Sequence, residues 1–140
     1  MANSESPMRS VAVLLIAHGS RRAEANDDLH RLAAMMRERA EFSVVEPAYL
    51  EIAEPTIPQG AAACVKQGAE QVLMLPFFLS AGSHVVDDLE RHRRELTQQH
   101  AGVQFTLCAP LGLHPLMLEI VQDRLNEARH GADFDGEPGA

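Results

Sequence analysis

Apolar positions along this chain recur at two periods, and each change of period marks an element. Val11 to Ile16 is an unbroken apolar run rich in Val, Leu and Ile, carried on through Ala17, which predicts a strand buried on both faces. Over residues 22–41, Leu29, Leu32, Ala33 and Met36 return at helical spacing and predict a helix with one apolar stripe. Residues 42–50 predict a second strand, in which Pro47 calls for an edge position or a bulge. A second helix is expected over residues 57–67, with Ile57, Ala61, Cys64 and Val65 inward and Gly68 as its cap. Residues 72–75 form the apolar centre of a third strand that leaves at Pro76. A third helix over residues 86–100, a short strand over 103–109 and a fourth helix over 115–128 complete the pattern. The last opens on Pro115 and is expected to bury Leu116, Met117, Ile120, Val121 and Leu125.

Strands alternating with helices over short loops force parallel pairing and right-handed crossovers. The fold class is therefore α/β: a single three-layer α/β/α domain around a mostly parallel four-stranded sheet, over residues 10–129. Residues 1–9 are expected to be flexible, and the Gly/Asp/Pro-rich residues 130–140 to be a disordered tail. A chain of 140 residues suits one domain with a real core, so one site is expected, or half of one completed by a second copy.

Composition narrows the function classes. The net charge of −8, few aromatics and no Lys/Arg-rich stripe argue against nucleic acid. No apolar run approaches the roughly 18 residues that cross a bilayer, and the opening "MANSESPMRS" lacks the pattern of a secretory signal, so the expected compartment is the cytoplasm and no membrane partner is expected. Cys64 and Cys108 sit far apart in apolar or small-residue contexts and read as buried free thiols.

In parallel sheets, ligands sit beyond the carboxyl ends of the strands. That rule selects "HGSRR", "EIAEP", "FFLSAGSH" and "LGLHP", and with them His18, Glu51 and His84 at one rim. Two imidazoles and a carboxylate suit a first-row divalent metal. Taken singly, each also has a plain structural reading: a strand-ending His bonds neighbouring backbone, and a carboxylate shortly before Pro opens a turn. Gly19 and Gly82 allow close backbone approach, Ser20 and Ser83 add hydroxyls, helix N-termini favour anions, and Arg21 and Arg22 can fork onto carboxylates. Asp87 and Asp88 are expected to stabilise the start of the third helix through its dipole, and His114 to be a structural or rim residue.

Four stretches taken in order resemble the small sirohydrochlorin chelatases of cobalamin and sirohaem biosynthesis, the CbiX and SirB type. They are "AHGSRRAEAN", "YLEIAEPTI", "LPFFLSAGSHVVDDL" and "APLGLHPLM". The resemblance implies insertion of a divalent metal, Co²⁺ first and otherwise Fe²⁺ or Ni²⁺, into sirohydrochlorin or a related tetrapyrrole without nucleotide hydrolysis. It implies that His18, Glu51 and His84 handle the metal, which is a substrate, so that no cofactor is permanently bound. Ser20, Arg21, Gly82 and Ser83 would then hold the substrate's carboxylates. The chain is similar to one half of the larger two-lobed chelatases, which implies a homodimer. It departs from the family where Asp88-Leu89-Glu90 replaces the usual Asp-Ile-Pro, leaving the entry to the third helix open. Two other readings compete: a carrier of metal or tetrapyrrole using the same ligands, and a histidine-type phosphatase. The latter wants an Arg immediately before its His, where this chain has Ala17.

Overall fold

The computed structural model describes residues 10–39 and 41–131. The expected flexible segment 1–9 and most of the expected tail, from residue 132 on, lie outside them. The described elements are β1 (Val11–Ala17), α1 (Ala23–Glu38), β2 (Val44–Tyr49), α2 (Ile57–Lys66), β3 (Gln71–Pro76), α3 (Ser83–Gln99), β4 (Gln104–Leu107) and α4 (Pro115–Arg129).

The four strands form one parallel sheet in the order β2-β1-β3-β4. β1 lies between β2 and β3, with Leu14 opposite both Glu46 and Met74. That central place explains its unbroken apolar run: Leu14, Leu15 and Ile16 are fully buried, each contributing about 1.5–3 kcal/mol. β2 is an edge strand, which is what its Pro47 requires.

Two cores flank the sheet. On one face Leu14, Ile16, Val72 and Met74 pack with Ile57, Cys64, Leu89 and Leu96 from α2 and α3. On the other, Val13, Leu15 and Val45 pack with Leu29 and Ala33 of α1. α2 opens on a capping box: the Gln59 amide donates to Thr56 Oγ1 (3.3 Å), and the Thr56 amide donates to Gln59 Oε1 (2.8 Å). It approaches the sheet closely at Gly60, where a Cβ would stand 2.7 Å from Leu14 Cδ1. Burial pushes the Cys64 thiol up to about 12. Both Cys64 and the half-buried Cys108 are free, as their contexts suggested.

Two expectations need correction. α3 begins at Ser83, three residues before the predicted start, so Ser83 and His84 belong to its first turn and no acidic residue does. Asp87 and Asp88 therefore do not start the helix, and Asp88 instead pairs with Arg91 one turn on. The early start follows from Gly82, whose extended backbone serves as N-cap while its carbonyl accepts from the Val86 amide (3.0 Å). The second correction concerns α4, which forms where expected but buries none of its residues. Helical spacing gives it an apolar side, but burial needs an opposing surface, and among the described residues no strand or other helix makes substantial contact with it.

Candidate active site

All four strands run in one direction, so the loops after them gather at one edge of the sheet. His18 follows β1 directly. The β1–β2 ladder continues past the strand ends: the Leu50 amide donates to the Ala17 carbonyl (2.9 Å) and the Glu51 amide to the His18 carbonyl (3.1 Å). His18 and Glu51 are thus backbone neighbours, and both are exposed. Gly19 makes this approach possible. Its φ is +101°, and a Cβ there would lie 1.9 Å from the Glu51 carbonyl oxygen, so only glycine fits without moving the loop. The His18 ring stacks on Phe78 from the loop after β3, with centroids 4.5 Å apart and planes 29° apart.

The Glu51 loop is held at both ends. The Tyr49 amide donates to the Pro55 carbonyl (2.9 Å), and the Ala53 amide to the Glu51 carbonyl (2.8 Å). Between them Ile52 adopts φ +75°, the sole non-glycine positive φ among the described residues. A β-branched residue in that region costs about 1–3 kcal/mol, and such strain gathers at functional sites.

Sequence reasoning gave no role to Asn26, which builds the Ser20 turn. Its Oδ1 accepts from the Ser20 amide (3.0 Å) and its Nδ2 donates to the Ser20 carbonyl (2.8 Å). The Asn26 carbonyl in turn accepts from the buried Tyr49 hydroxyl (2.7 Å). Burial first, and the Asp27 carboxylate second, push that hydroxyl above its ordinary range, so it remains a donor. Ser20 Oγ accepts from the Arg22 amide (3.0 Å). The available signal was positional: Asn26 closes the quoted "AHGSRRAEAN".

Gly82, Ser83 and His84 lie together at the start of α3, all exposed, and no side chain caps that end. Its first amides are therefore open to an anion. The replacement of the family's Pro leaves the helix intact. Leu89 is buried, and Arg93 Nε donates to Glu90 Oε2 (2.7 Å), which holds the Glu90 carboxyl below its usual range. Arg21 is exposed, and among the described residues neither it nor Arg22 forms an ion pair. His114 is the N-cap of α4, its Nδ1 accepting from the Leu116 amide (3.1 Å).

His18, Glu51 and His84 thus share one edge, the first two adjacent through their backbones and the third on a separate helix start. Among the described residues, no three His, Cys, Asp or Glu side chains form a ready-made metal cluster. Around these polar groups, Ile52, Phe77, Leu79, Val86 and Leu113 are exposed apolar side chains on the loops and helix start at the same edge. Such a concentration of exposed apolar surface marks a binding region.

The chain is similar to known proteins over most of its length. The family model described as CbiX matches residues 12–128. The chain is 35% identical over 125 residues to the chloroplastic sirohydrochlorin ferrochelatase of Arabidopsis thaliana, covering 89% of this chain and 56% of that one. Its fold matches a CbiX protein from Marinobacter aquaeolei with a TM-score of 0.74 and 30% identity, covering 86% of this chain and 98% of that one. It also matches the sirohydrochlorin chelatase SirB from Bacillus subtilis subspecies spizizenii in complex with cobalt, with a TM-score of 0.78 and 27% identity. There it covers 86% of this chain and 51% of SirB, and it spans about half the length of several curated relatives. The fold is that of a chelatase-type α/β domain. Within that class, the chain belongs to the CbiX family.

Proposed function

We propose that this chain is a sirohydrochlorin chelatase, inserting a divalent metal into the tetrapyrrole without ATP. Co²⁺ is the first candidate, with Fe²⁺ and Ni²⁺ as the others. What supports this reading is that His18, Glu51 and His84 all follow strands at one exposed edge that also bears apolar side chains, in a CbiX-family chain.

Insertion requires stripping water from the ion, bringing it to the ring face and taking two protons from pyrrole N–H groups. His18 and His84 bind the incoming metal through neutral imidazole nitrogen, and each can accept a proton as the metal passes to the ring. Glu51 supplies a carboxylate ligand or relays a proton onward. The ring lies against the apolar side chains, while its peripheral carboxylates meet Ser20, Arg21, Gly82, Ser83 and the open amides of α3. The ligands lie on separate loops, which suits a metal that must leave. One chain supplies half of the site, and a homodimer sets two such halves face to face.

The test mixes the protein with sirohydrochlorin and Co²⁺ or Fe²⁺ and follows the absorption change against the spontaneous rate. His18→Ala and His84→Ala should each lower the rate by about 100-fold or more, with an unchanged circular dichroism spectrum. Unchanged rates in both variants would remove the assignment. Stoichiometric binding without turnover would instead support a carrier.

A further inference from the structure

Hydrogen bonds on both sides of Ile52 fix its backbone. The Ala53 amide donates to the Glu51 carbonyl (2.8 Å), which closes a γ-turn with Ile52 as its central residue at φ +75°. The positive-φ form of this turn is the rare and strained one. Before it, the Glu51 amide donates to the His18 carbonyl (3.1 Å); around it, the Tyr49 amide donates to the Pro55 carbonyl (2.9 Å). The half-buried Leu50 and Ala53 anchor the same loop, one on each of the two cores that flank the sheet.

The surroundings therefore impose the turn, but nothing in it calls for isoleucine. Glycine adopts positive φ freely, and asparagine does so far more readily than a β-branched residue. The core does not use the side chain either, since Ile52 is 60% exposed. A β-branched apolar residue thus stands where the backbone disfavours it and where folding buries little of it. An outlier of this kind, held by well-bonded surroundings, points to function.

Its position says which function. Ile52 directly follows Glu51, whose backbone is bonded to that of His18, so an apolar side chain stands at the rim beside two candidate metal ligands. Phe77, Leu79 and Val86 are exposed at the same edge, but none of them has a positive φ.

We propose that Ile52 is a substrate-contact residue, held in the strained turn so that its methyl groups meet the apolar face of the tetrapyrrole beside Glu51. This rests on the reading of the rim as a sirohydrochlorin site, and adds that one residue trades stability for substrate affinity. A turn that served only to fix Glu51 would make no use of the size or polarity of the side chain at its tip.

The full chain and its variants Ile52→Asn, Ile52→Gly and Ile52→Val separate the two roles. Ile52→Asn keeps the turn, relieves the strain and removes the apolar contact. It should raise the urea midpoint while weakening sirohydrochlorin binding, titrated by absorbance without metal, by about 5-fold or more. Ile52→Gly should weaken binding to the same degree. Ile52→Val, equally strained and still apolar, should keep both values close to wild type. Co²⁺ affinity, measured without the tetrapyrrole, should be unchanged in all three. Sirohydrochlorin affinity that survives in Ile52→Asn and Ile52→Gly would overturn the contact, and a loss of Co²⁺ affinity alone would make Ile52 a positioning residue for Glu51. A urea midpoint that falls in both variants would overturn the trade, because no strain would have been relieved. Failure of the wild-type chain to bind sirohydrochlorin would remove the reading of the rim itself, and the role of Ile52 with it.

Discussion

The imidazole of His18 lies stacked on the phenyl ring of Phe78, with centroids 4.5 Å apart. A side chain leaving the end of a rigid strand is thereby steadied from the neighbouring loop. Aromatic pairs of this kind contribute about 0.5–1.5 kcal/mol beyond burial. Phe78→Leu keeps apolar bulk and removes the stacking, so the rate of metal insertion should fall by about 2- to 10-fold. The rate on Co²⁺ and sirohydrochlorin, measured beside a thermal melt, checks this. A change in melting temperature with no change in rate would make Phe78 a packing residue only.

Gly19 and Glu51 are coupled through space. A methyl group at Gly19 would meet the Glu51 carbonyl at 1.9 Å in a backbone conformation that L side chains avoid. Gly19→Ala should lower stability by at least about 1–3 kcal/mol and displace the Glu51 loop. Urea unfolding measures the first effect. The insertion rate of the folded fraction measures the second, and it should fall together with stability.

Asn26 grips both backbone polar groups of Ser20. Asn26→Ala removes two partly buried hydrogen bonds, at a cost of about 1–3 kcal/mol. Because the turn it builds carries Ser20 and Arg21, KM for the tetrapyrrole should rise more than kcat falls. Steady-state kinetics on the folded variant distinguish this from a loss of fold, which would lower the active fraction and leave KM alone.

His92 gives a pH dependence with a definite sign. Burial first, then the Arg91 charge, lower its pKa against the opposing pull of Asp88 and Glu95. The folded state therefore binds its proton less readily than the unfolded chain, where histidine titrates near pH 6.5. This contribution to stability is complete above about pH 6.5 and is lost as the pH falls from there toward the folded value. Urea midpoints of the wild type should drop between pH 7.5 and 5.5, and His92→Gln should flatten that slope. Parallel slopes would rule His92 out as the source.

The parallel α/β order was legible because each element carries its own period. The continuous run of β1, the stripe of α1 and the apolar positions of α2 before Gly68 are local patterns with local causes. The rim residues were legible as well, since parallel topology sends every strand-end loop to one edge. The role of Asn26 was not, because it bonds a turn six residues away in sequence, and its place at the end of "AHGSRRAEAN" does not by itself say what it bonds. The early start of α3 was missed because Asp87 and Asp88 resemble the acidic start of a helix, whereas the extended backbone of Gly82 supplies the cap.

Sequence alone determined which segments are strands and helices and which residues can reach the carboxyl edge, since hydrophobic period and chain direction are properties of the polymer. Only the tertiary structure decided the partners. Stacking of His18 on Phe78, passage of Gly19 beneath the Glu51 carbonyl and the grip of Asn26 on Ser20 each depend on loops meeting in space. The same distinction applies to α4. Its sequence predicts an apolar side, but burial is a relation between two surfaces, and among the described residues no strand or other helix packs substantially against it.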